Sequence, residues 1–434
     1  MKTKQENSAC NKQRNTWENP EIADILEKYF PDYIKKHKIQ YHHYNVINAI
    51  MKCRTPLLGG HVDECDECGH LRCSYNSCGN RHCPKCRYLA KERWLLDRKT
   101  ELLPVTYYHA VFTIPDILND LVLENQRVIY AILFRAASET ILKLCSDEKH
   151  LGALTGMIAI LHTWGQNLIN HPHLHCIIPG GGLSGDQKEW LYPKKSKKNK
   201  KFFIHVNIIS DLFKKIFLSY LKKAYKKNEL IFEGRISHNR APSEFNALLS
   251  RLYKKTWVTY CKLPFGGPKQ VLEYLGRYTH RVAISNNRIK RIENGRVYFA
   301  YKDYRQGGKT KEMTLEIYEF IRRFLLHILP YGFPKIRYYG ILCSRMKNQL
   351  LKICKKFLGV VINSDLTQKI KKNWQELYFE ISGIDPCLCP ECGKGRMKNI
   401  KIIPRVFPPG LVPKRPDLRL AATGIYVQTV LSSS

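Results

Sequence analysis

The sequence predicts an α+β fold with a small cysteine-rich module near the N-terminus. Three short apolar segments have the length and composition of strands, and longer segments between them show the 3.6-residue apolar period of helices. Residues 51–90 differ from both, because they hold seven cysteines and few aliphatic residues. Too little apolar surface is present there for a packed core, so this module needs another source of stability.

Length and charge limit what the chain can do. It has 434 residues, of which 44% are apolar, so two to four units with sizeable cores are expected. Lys and Arg total 72 against 37 for Asp and Glu, a net charge of +35. Such an excess indicates a polyanionic partner, with nucleic acid the first expectation and an anionic membrane surface the alternative.

Two absences in the sequence bear on location. The chain has no apolar run of about 18 residues, so no segment is expected to span a bilayer. It also lacks an apolar stretch near its start that would resemble a secretory signal. A cytoplasmic protein with reduced cysteines is therefore expected, and clustered cysteines there indicate metal ligands.

The predicted elements follow in order along the chain. A short helical lead-in begins near Ile22, and a charged helix spans 88–103. Strands are predicted at 107–115, 156–164 and 171–182, and helices at 119–145, 203–226, 268–280, 314–328 and 342–375. A hairpin is predicted around Glu293-Asn294-Gly295, between RVAIS (281–285) and RVYFAYKDY (296–304). The Pro-rich tail after Pro404 is expected to be mobile.

Two CxxC pairs give the strongest metal signal. Cys65 and Cys68 form the first pair, Cys83 and Cys86 the second, and 14 residues separate them. Each pair can present two thiolates to one ion, so together they can complete a tetrahedral zinc site. Basic residues surround these cysteines, which favours a DNA-binding zinc module. A purely structural zinc site is the alternative.

Further cysteines and histidines could complete a second zinc site in the same module. The sequence interleaves four candidates with the CxxC pairs: Cys53, His61, Cys78 and His82. His70 and Cys73 could substitute for a ligand or simply pack. Near the C-terminus, Cys389 and Cys392 form half a site, to which Cys387 could add a third thiolate.

A His-x-His pair on the third predicted strand could bind a catalytic metal. Alternate residues of a strand share a face, so His173 and His175 aim two imidazoles at one point. Two adjacent imidazoles are suited to a divalent cation. Gln166 could supply an oxygen as the third ligand, and two further histidines compete for that position, His162 and His171.

The predicted helix at 268–280 carries two tyrosines. Tyr274 and Tyr278 are four residues apart and therefore lie on one helix face, with Arg277 and Arg281 on the adjoining stripe. Guanidinium groups can hold a phosphate while a phenol attacks it. The alternative is that both tyrosines are half-buried packing residues.

Taken together, these motifs resemble one known family. They are LGGHVDECDECGH (58–70), YNSCGNRHCPKC (75–86), YHAVFTIP (108–115), LHTWGQNLINHPHLHCIIPGGGLS (161–184), YLGRYTHRVAIS (274–285) and CPECG (389–393). In this order they resemble the rolling-circle insertion-sequence transposases of the HUH endonuclease superfamily that carry an N-terminal zinc domain. The resemblance extends from about Cys53 to about Arg396.

The resemblance implies a fold and a chemistry. The fold is a central antiparallel sheet flanked by helices. The activity is a single-strand DNA nickase and strand transferase that forms 5′-phosphotyrosine links with Tyr274 and Tyr278. His173 and His175, with Gln166, would hold Mg²⁺ or Mn²⁺, while the cysteines hold structural zinc. The expected partner is DNA, as single-stranded or hairpin element ends.

The sequence also suggests four regions. These are a helical lead-in at 1–50, a zinc-binding DNA-binding domain at 51–100, a catalytic domain at 101–335 and a helical C-terminal region at 336–434. Two alternatives to a transposase stay open. A rolling-circle replication initiator or relaxase would share the tyrosine chemistry, whereas a non-catalytic zinc DNA-binding regulator would need neither the histidine pair nor the tyrosines.

Overall fold

The computed structural model describes residues 20–193, 204–265, 282–303, 306–360 and 373–406, together with helical residues 270, 271, 273, 274 and 276. The fold is α+β, with antiparallel sheets flanked by helices, as the sequence predicts. None of the helices in the described ranges is long and apolar enough to cross a membrane.

The center of the fold is a five-stranded sheet of order β13-β5-β6-β3-β9. All four pairings are antiparallel. Its strands are β3 Tyr107–Thr113, β5 Gly156–Trp164, β6 Asn170–Pro179, β9 Thr259–Phe265 and β13 Ile336–Gly340. The predicted strand at 156–164 is confirmed in full, and those at 107–115 and 171–182 match β3 and β6 closely.

The described part of the chain also contains helices. They are α1 Ile22–Lys36, α2 Tyr41–Met51, α3 Tyr88–Lys99, α4 Asn119–Glu124, α5 Gln126–Ser146, α6 Val206–Lys226, α7 Pro242–Lys254, α8 Ile317–Leu326, α9 Lys347–Phe357 and α10 Trp374–Ser382. Short 3₁₀ turns lie at Pro56–Leu58, Asp116–Leu118, Gly234–Arg240 and Asn286–Arg288.

The two faces of the central sheet pack against different partners. Leu161, Leu174 and Cys176 point into the largest apolar core, which α5, α6 and α7 cover. Their neighbours along the same strands, Ile160 and Ile177, point to the other face, against α3 and α9. Because alternate residues of a strand point to opposite faces, both faces of β5 and β6 are apolar over most of their length.

A second apolar core lies between the N-terminal helices and a three-stranded hairpin sheet. Its strands are β10 Ile289–Glu293, β11 Arg296–Asp303 and β12 Lys309–Glu316, in that order. Together with α1, α2 and α8 they share one apolar cluster, which also contains Cys53 and Cys83. The N-terminal helices therefore pack into a core built from residues almost 300 positions away.

A third sheet brings the two ends of the chain together. The strands β1 Gly60–Cys65 and β2 Leu71–Tyr75 form a hairpin, and β14 Met397–Ile403 pairs with β1 in antiparallel fashion. A small fourth sheet has the order β4-β7-β8, with strands Ala153–Leu154, Gly182–Ser184 and Trp190–Leu191.

The turn of the predicted hairpin is confirmed, but its first strand was assigned to the wrong residues. Asn294 and Gly295 have φ of 48° and 72° and form the two-residue turn, which pairs Glu293 with Arg296. A two-residue turn requires the first strand to end immediately before it, so Ile289–Glu293 pairs with β11. Residues 282–285 of RVAIS form no strand.

Two helix predictions are also corrected by the structure. The helix predicted at 314–328 begins only at Ile317, because Lys309–Glu316 pairs along β11 as a strand. The region predicted as helical over 342–375 contains α9 and the start of α10, and residues 361–372 lie outside the described ranges. The tail from residue 407 onward, for which the sequence suggests mobility, lies outside them too.

Candidate active site and metal centers

Three histidine side chains converge on the face of the central sheet that α3 and α9 cover. His173 and His175 alternate on β6 with Leu174, and His162 stands directly opposite His173 on β5. One ligand nitrogen from each lies within 4.8 Å of the others. His162 and His175 are buried, whereas His173 is partly exposed, so solvent reaches the cluster at His173.

The nitrogen geometry of this histidine cluster suits a metal ion. Nε2 of His173 lies 3.2 Å from Nε2 of His175. Two nitrogens at about 2.1 Å from one ion are about 3.0 to 3.4 Å apart, depending on the angle between them. Nδ1–H of His173 donates to the backbone carbonyl of His171 at 2.6 Å, because a carbonyl can only accept. That bond leaves Nε2 of His173 as the unprotonated nitrogen that a metal requires.

Tyr274 brings a phenol to the same face. The described residues around it are helical, and Val271, one turn earlier, is fully buried in the core on this face. Gly276 lies so close to α3 that an added Cβ would be 2.9 Å from Cδ1 of Leu95. The helix carrying Tyr274 therefore lies directly against the side chain of Leu95 on α3.

The phenol of Tyr274 contacts two histidines. Its oxygen lies 2.6 Å from Nε2 of His109 and 3.0 Å from Nδ1 of His175. His109, on β3, is itself 3.0 Å from Nδ1 of His175 and is buried. With the hydrogen of His175 on Nδ1, this N–H donates to the phenol oxygen, and the phenol donates to Nε2 of His109. Tyr274 is thus connected directly to the histidine cluster.

His109 is a site residue that the sequence analysis missed. It lies in the motif YHAVFTIP, but a single histidine on an apolar strand is more often a packing residue. Strand alternation places it on the same face as Tyr107 and Val111. Only the pairing of β3 with β6, which sets Val111 opposite His175, shows that this face carries the histidine cluster.

Of the other residues predicted for this site, the structure describes Gln166 alone. Gln166 lies in the turn after β5, where its backbone carbonyl accepts a hydrogen bond from Arg288. The structure offers His162 for the third-ligand position, and the role of Gln166 stays a prediction. Tyr278, Arg277 and Arg281 lie outside the described residues.

Four cysteines, here called the module cysteines, form one candidate zinc center: Cys53, Cys78, Cys83 and Cys86. Their sulfurs lie within 4.8 Å of one another, and those of Cys78 and Cys86 are 3.7 Å apart. The backbone N–H of Asn80 donates to the sulfur of Cys78. The neighbouring thiols of Cys78 and Cys83 lower the pKa of the Cys53 thiol.

Four other cysteines, here called the terminal cysteines, form a second group: Cys65, Cys68, Cys389 and Cys392. Their sulfurs also lie within 4.8 Å of one another. The predicted half-site near the C-terminus therefore finds its partner at the N-terminal CxxC pair.

These groups correct the predicted division of ligands between zinc sites. The sequence spacing favoured a site of Cys65 and Cys68 with Cys83 and Cys86, but the structure places the two pairs in different groups. The reason is the β1–β2 hairpin: Cys65 lies at its tip, whereas the module cysteines lie at its base. A strand of five residues separates tip from base by about 17 Å.

Neither histidine predicted for the second zinc site joins a cysteine group. His61 lies on β1, where its Nε2 is 3.5 Å from Oδ2 of Asp63. His82 is partly buried, and its buried Nε2 has no hydrogen-bond partner within the described part of the chain. Burial lowers the pKa of His82 well below its usual range. Four cysteines replace the mixed ligand set that the spacing suggested.

Comparison with known proteins identifies the chain. It is 45% identical over 391 residues to "Putative transposase y4qJ" of Sinorhizobium fredii, covering 90% of this chain and 97% of that protein. The chain belongs to the IS91 family of insertion-sequence transposases. It is also 28% identical over 355 residues to the transposase for insertion sequence element IS801 of Pseudomonas savastanoi pv. phaseolicola, covering 80% of this chain and 81% of that protein.

Two family models match separate parts of this IS91-family transposase. A model described as "Transposase zinc-binding domain" matches residues 25–114, and one described as "Putative transposase" matches residues 156–350. The first contains all four module cysteines, and their four-sulfur geometry fits the zinc that its description implies. The second contains the strands β5 and β6 with the three histidines. No solved structure matches the chain.

Proposed function

We propose that this transposase cuts and rejoins single-stranded DNA by transferring a phosphoryl group to Tyr274. The observation that carries the proposal is the 3.0 Å contact between the Tyr274 phenol and His175, a member of the histidine cluster. A nucleophile beside a candidate cation site is the arrangement that phosphoryl transfer to a side chain requires.

The step itself is a displacement at phosphorus. The phenol oxygen of Tyr274 attacks, an Oη–P bond forms and the P–O3′ bond breaks, which leaves a 5′-phosphotyrosine and a free 3′-OH. The phenolic proton passes to Nε2 of His109, 2.6 Å away, and the departing 3′ oxygen takes a proton from water. Because the phosphodiester energy is kept in the new bond, a 3′-OH can reverse the step and rejoin the strand.

The three histidines would hold a divalent cation, Mg²⁺ or Mn²⁺. When bound, the cation would polarise a phosphodiester oxygen and stabilise the charge that develops on phosphorus. The protein's own part is orientation. The carbonyl of His171 fixes the ring of His173, and the Tyr274 phenol with His109 fixes the ring of His175.

A second tyrosine would allow a second cleaved end to be held. Tyr278 follows Tyr274 by four residues, one helical turn in the predicted helix, and we propose that it takes this role. Arg277 and Arg281 would then bind phosphates beside the two phenols.

A preference for unpaired DNA is supported by an aromatic residue near the site. Tyr260 on the edge strand β9 stands opposite Val111, which stands opposite His175, so the three share a row on one sheet face. Tyr260 is exposed. A phenol ring beside the cluster can stack on an unpaired base, and such stacking contributes about 1–3 kcal/mol per base. The net charge of +35 supplies the attraction to phosphates.

We also propose how the regions divide this work. Catalysis belongs to residues 101–335, which carry His109, the histidine cluster and Tyr274. DNA recognition belongs to the zinc-bearing region at 51–100 together with the C-terminal region at 336–434, while residues 1–50 support the zinc-bearing region through the shared core.

The test is to trap the covalent adduct. A labeled single-stranded oligonucleotide carrying an element end is incubated with Mn²⁺ and protein, and the modified residue is mapped by mass spectrometry. Tyr274→Phe should abolish the adduct at residue 274, since Phe keeps the ring packing and removes only the nucleophile. The matched variant Tyr278→Phe should still form it. An adduct that persists in the double variant would show that another residue is the nucleophile.

A further inference from the structure

The terminal cysteines lie where a tetrahedral metal site requires them. Sγ of Cys65 is 3.7 Å from Sγ of Cys392, and Sγ of Cys68 is 3.7 Å from Sγ of Cys389. Four sulfurs bound at about 2.3 Å to one zinc form a tetrahedron with edges of about 3.8 Å. A disulfide would instead bring two sulfurs to about 2.05 Å. The separation is that of zinc ligands.

Both CxxC pairs have the backbone of a metal-binding knuckle. Each is followed by a glycine in the left-handed region, Gly69 with φ of 71° and Gly393 with φ of 65°. In each, the glycine N–H donates to the carbonyl of the first cysteine, at 3.1 Å for Gly69 and 3.0 Å for Gly393. This turn directs both cysteine side chains of a pair to one side, and two such turns face each other across the center.

The close approach of the two knuckles depends on a further glycine. A Cβ added to Gly395 would lie 2.4 Å from Sγ of Cys65, so only glycine allows the C-terminal knuckle to come this near. The N–H of Gly395 also donates to Sγ of Cys392 at 3.4 Å. Backbone N–H groups aimed at sulfur stabilise a thiolate, which is the form that binds a metal.

The surrounding sheet has almost no apolar core of its own. Among the described residues, its apolar cluster consists of Cys65, Cys389 and Met397, with Cys392 packed against it, and Val62 and Cys73 are the other buried apolar residues on its strands. Polar contacts add to this: the N–H of Arg396 donates to Asp66, and the guanidinium of Arg72 donates to the carbonyl of Pro386. A three-stranded sheet with so little buried apolar surface is marginal in water. An ion bound by four cysteines would supply the missing stability.

We propose that the terminal cysteines bind a second zinc ion that fastens the C-terminal segment onto the N-terminal zinc module. Two of the four ligands, Cys389 and Cys392, lie far outside residues 25–114, the range of the matched zinc-binding domain. The ion joins cysteines more than 320 positions apart and holds β14 against β1. The zinc module is therefore assembled from two segments that lie on either side of the catalytic sheet in sequence.

Zinc content of single variants of the full chain tests the proposal. Freshly purified wild-type protein should hold about two zinc ions per chain, and Cys389→Ser about one. Cys387→Ser is the matched control, because Cys387 is two residues away but lies outside the four-sulfur group. It should keep both ions. Cys392→His should retain or regain the second ion, because imidazole can replace a thiolate at zinc.

Two further measurements distinguish loss of the second zinc ion from misfolding of the serine variant. Hydrogen exchange at 397–403 should accelerate in Cys389→Ser, while exchange in the central strands stays unchanged. Cobalt substituted into wild-type protein should give thiolate-to-cobalt absorption from two tetrathiolate sites, and from one site in Cys389→Ser. The proposal would be overturned if wild-type protein held only one zinc ion per chain and Cys389→Ser held the same number. It would also be overturned if Cys387→Ser lost as much zinc as Cys389→Ser. None of these measurements uses DNA cleavage, so the second zinc site is tested independently of the proposed activity.

Discussion

The phenolic oxygen of Tyr274 lies 2.6 Å from Nε2 of His109, a residue that is 165 positions earlier in the chain. The same phenol is 3.0 Å from Nδ1 of His175. His109 thus touches both the proposed nucleophile and a proposed metal ligand. It is buried, so water does not compete for its Nε2 from bulk solvent. We propose from this position that His109 accepts the phenolic proton and fixes the Tyr274 ring.

Replacing His109 should slow cleavage without preventing DNA binding. General-base assistance is typically worth about 10² to 10⁴ in rate, so His109→Ala should cut single-strand DNA at least about 100-fold more slowly at saturating Mn²⁺. Affinity for the oligonucleotide should change little, because no basic surface is removed. Single-turnover cleavage of a labeled strand measures the cleavage rate, and a binding titration measures the affinity.

The matched control is His171→Ala. His171 contributes its backbone carbonyl to His173, and that carbonyl remains in the alanine variant. Cleavage should therefore fall much less than in His109→Ala. If His109→Ala cleaves at the wild-type rate with saturating Mn²⁺, His109 is a packing residue and the proton leaves by another route.

The identity of the third metal ligand can be decided with two variants. His162 stands opposite His173 and its ligand nitrogen lies within 4.8 Å of the other two, so His162→Ala should raise the Mn²⁺ concentration needed for half-maximal cleavage by more than about 100-fold. His173→Ala should behave in the same way. Gln166→Ala should stay near the wild-type requirement. The reverse result, a severe loss in Gln166→Ala and none in His162→Ala, would restore the assignment made from the sequence.

Local sequence pattern was enough to predict the histidine pair and its strand. Alternation places His173 and His175 on one face whatever the neighbours are, and the apolar run at 156–164 has the composition of the strand that it forms. The spatial neighbours of that strand could not be read in the same way. The sequence offered His162 only as one of three candidates for the third ligand and did not offer His109. Both lie at the site because β3 and β5 flank β6, and strand order depends on packing across the whole sheet.

The cysteine pairing failed for the same physical reason. Spacing alone favoured a site between Cys65-x-x-Cys68 and Cys83-x-x-Cys86, since 14 intervening residues can loop back in many folds. Here those residues include β2, which extends the chain and carries the two pairs apart. The first pair instead meets Cys389 and Cys392, which precede β14 in sequence. A contact over 327 positions leaves no local signal.

The module cysteines should be essential for the core formed by the N-terminal helices. Cys53 and Cys83 are fully buried in the apolar cluster of α1, α2, α8 and the β10–β12 sheet. Cys83→Ala should lose one zinc ion per chain and lower the melting temperature, because an opened site leaves three thiolates without their ion. Zinc release measured with a colorimetric chelator, alongside thermal melting, tests this.

Cys145→Ala provides the control for that experiment. Cys145 is also fully buried, but it lies in the separate core that α5, α6 and α7 form on the central sheet, and in none of the cysteine groups. Its loss removes one sulfur from a packed core and should cost stability without releasing zinc. Equal zinc content in Cys83→Ala and Cys145→Ala would contradict the assignment of the module cysteines.

Stability should depend on pH through a buried histidine outside the site. Nε2 of His327 lies 3.0 Å from the carbonyl of Leu168, and Nδ1 lies 3.2 Å from Oγ1 of Thr163. Burial lowers the pKa of His327 to about 4, against an ordinary value of about 6.5. Between these values the unfolded chain binds a proton that the folded chain does not. Folding stability therefore rises with pH across this window and is lost as the pH falls from about 6.5 toward about 4.

Removing the titrating ring should flatten that dependence. In His327→Gln the slope of unfolding free energy against pH between about 4 and 6.5 should drop by up to about 1.4 kcal/mol per pH unit, because one proton fewer is taken up on unfolding. Glutamine keeps an amide N–H that can donate to the carbonyl of Leu168. Urea unfolding at a series of pH values gives the slope, and His238→Gln, at an exposed position, controls for the loss of a histidine from the chain. Identical slopes in wild-type protein and His327→Gln would mean that His327 becomes protonated without opposing folding, and that other groups, such as His43 and the carboxylates, set the acid sensitivity.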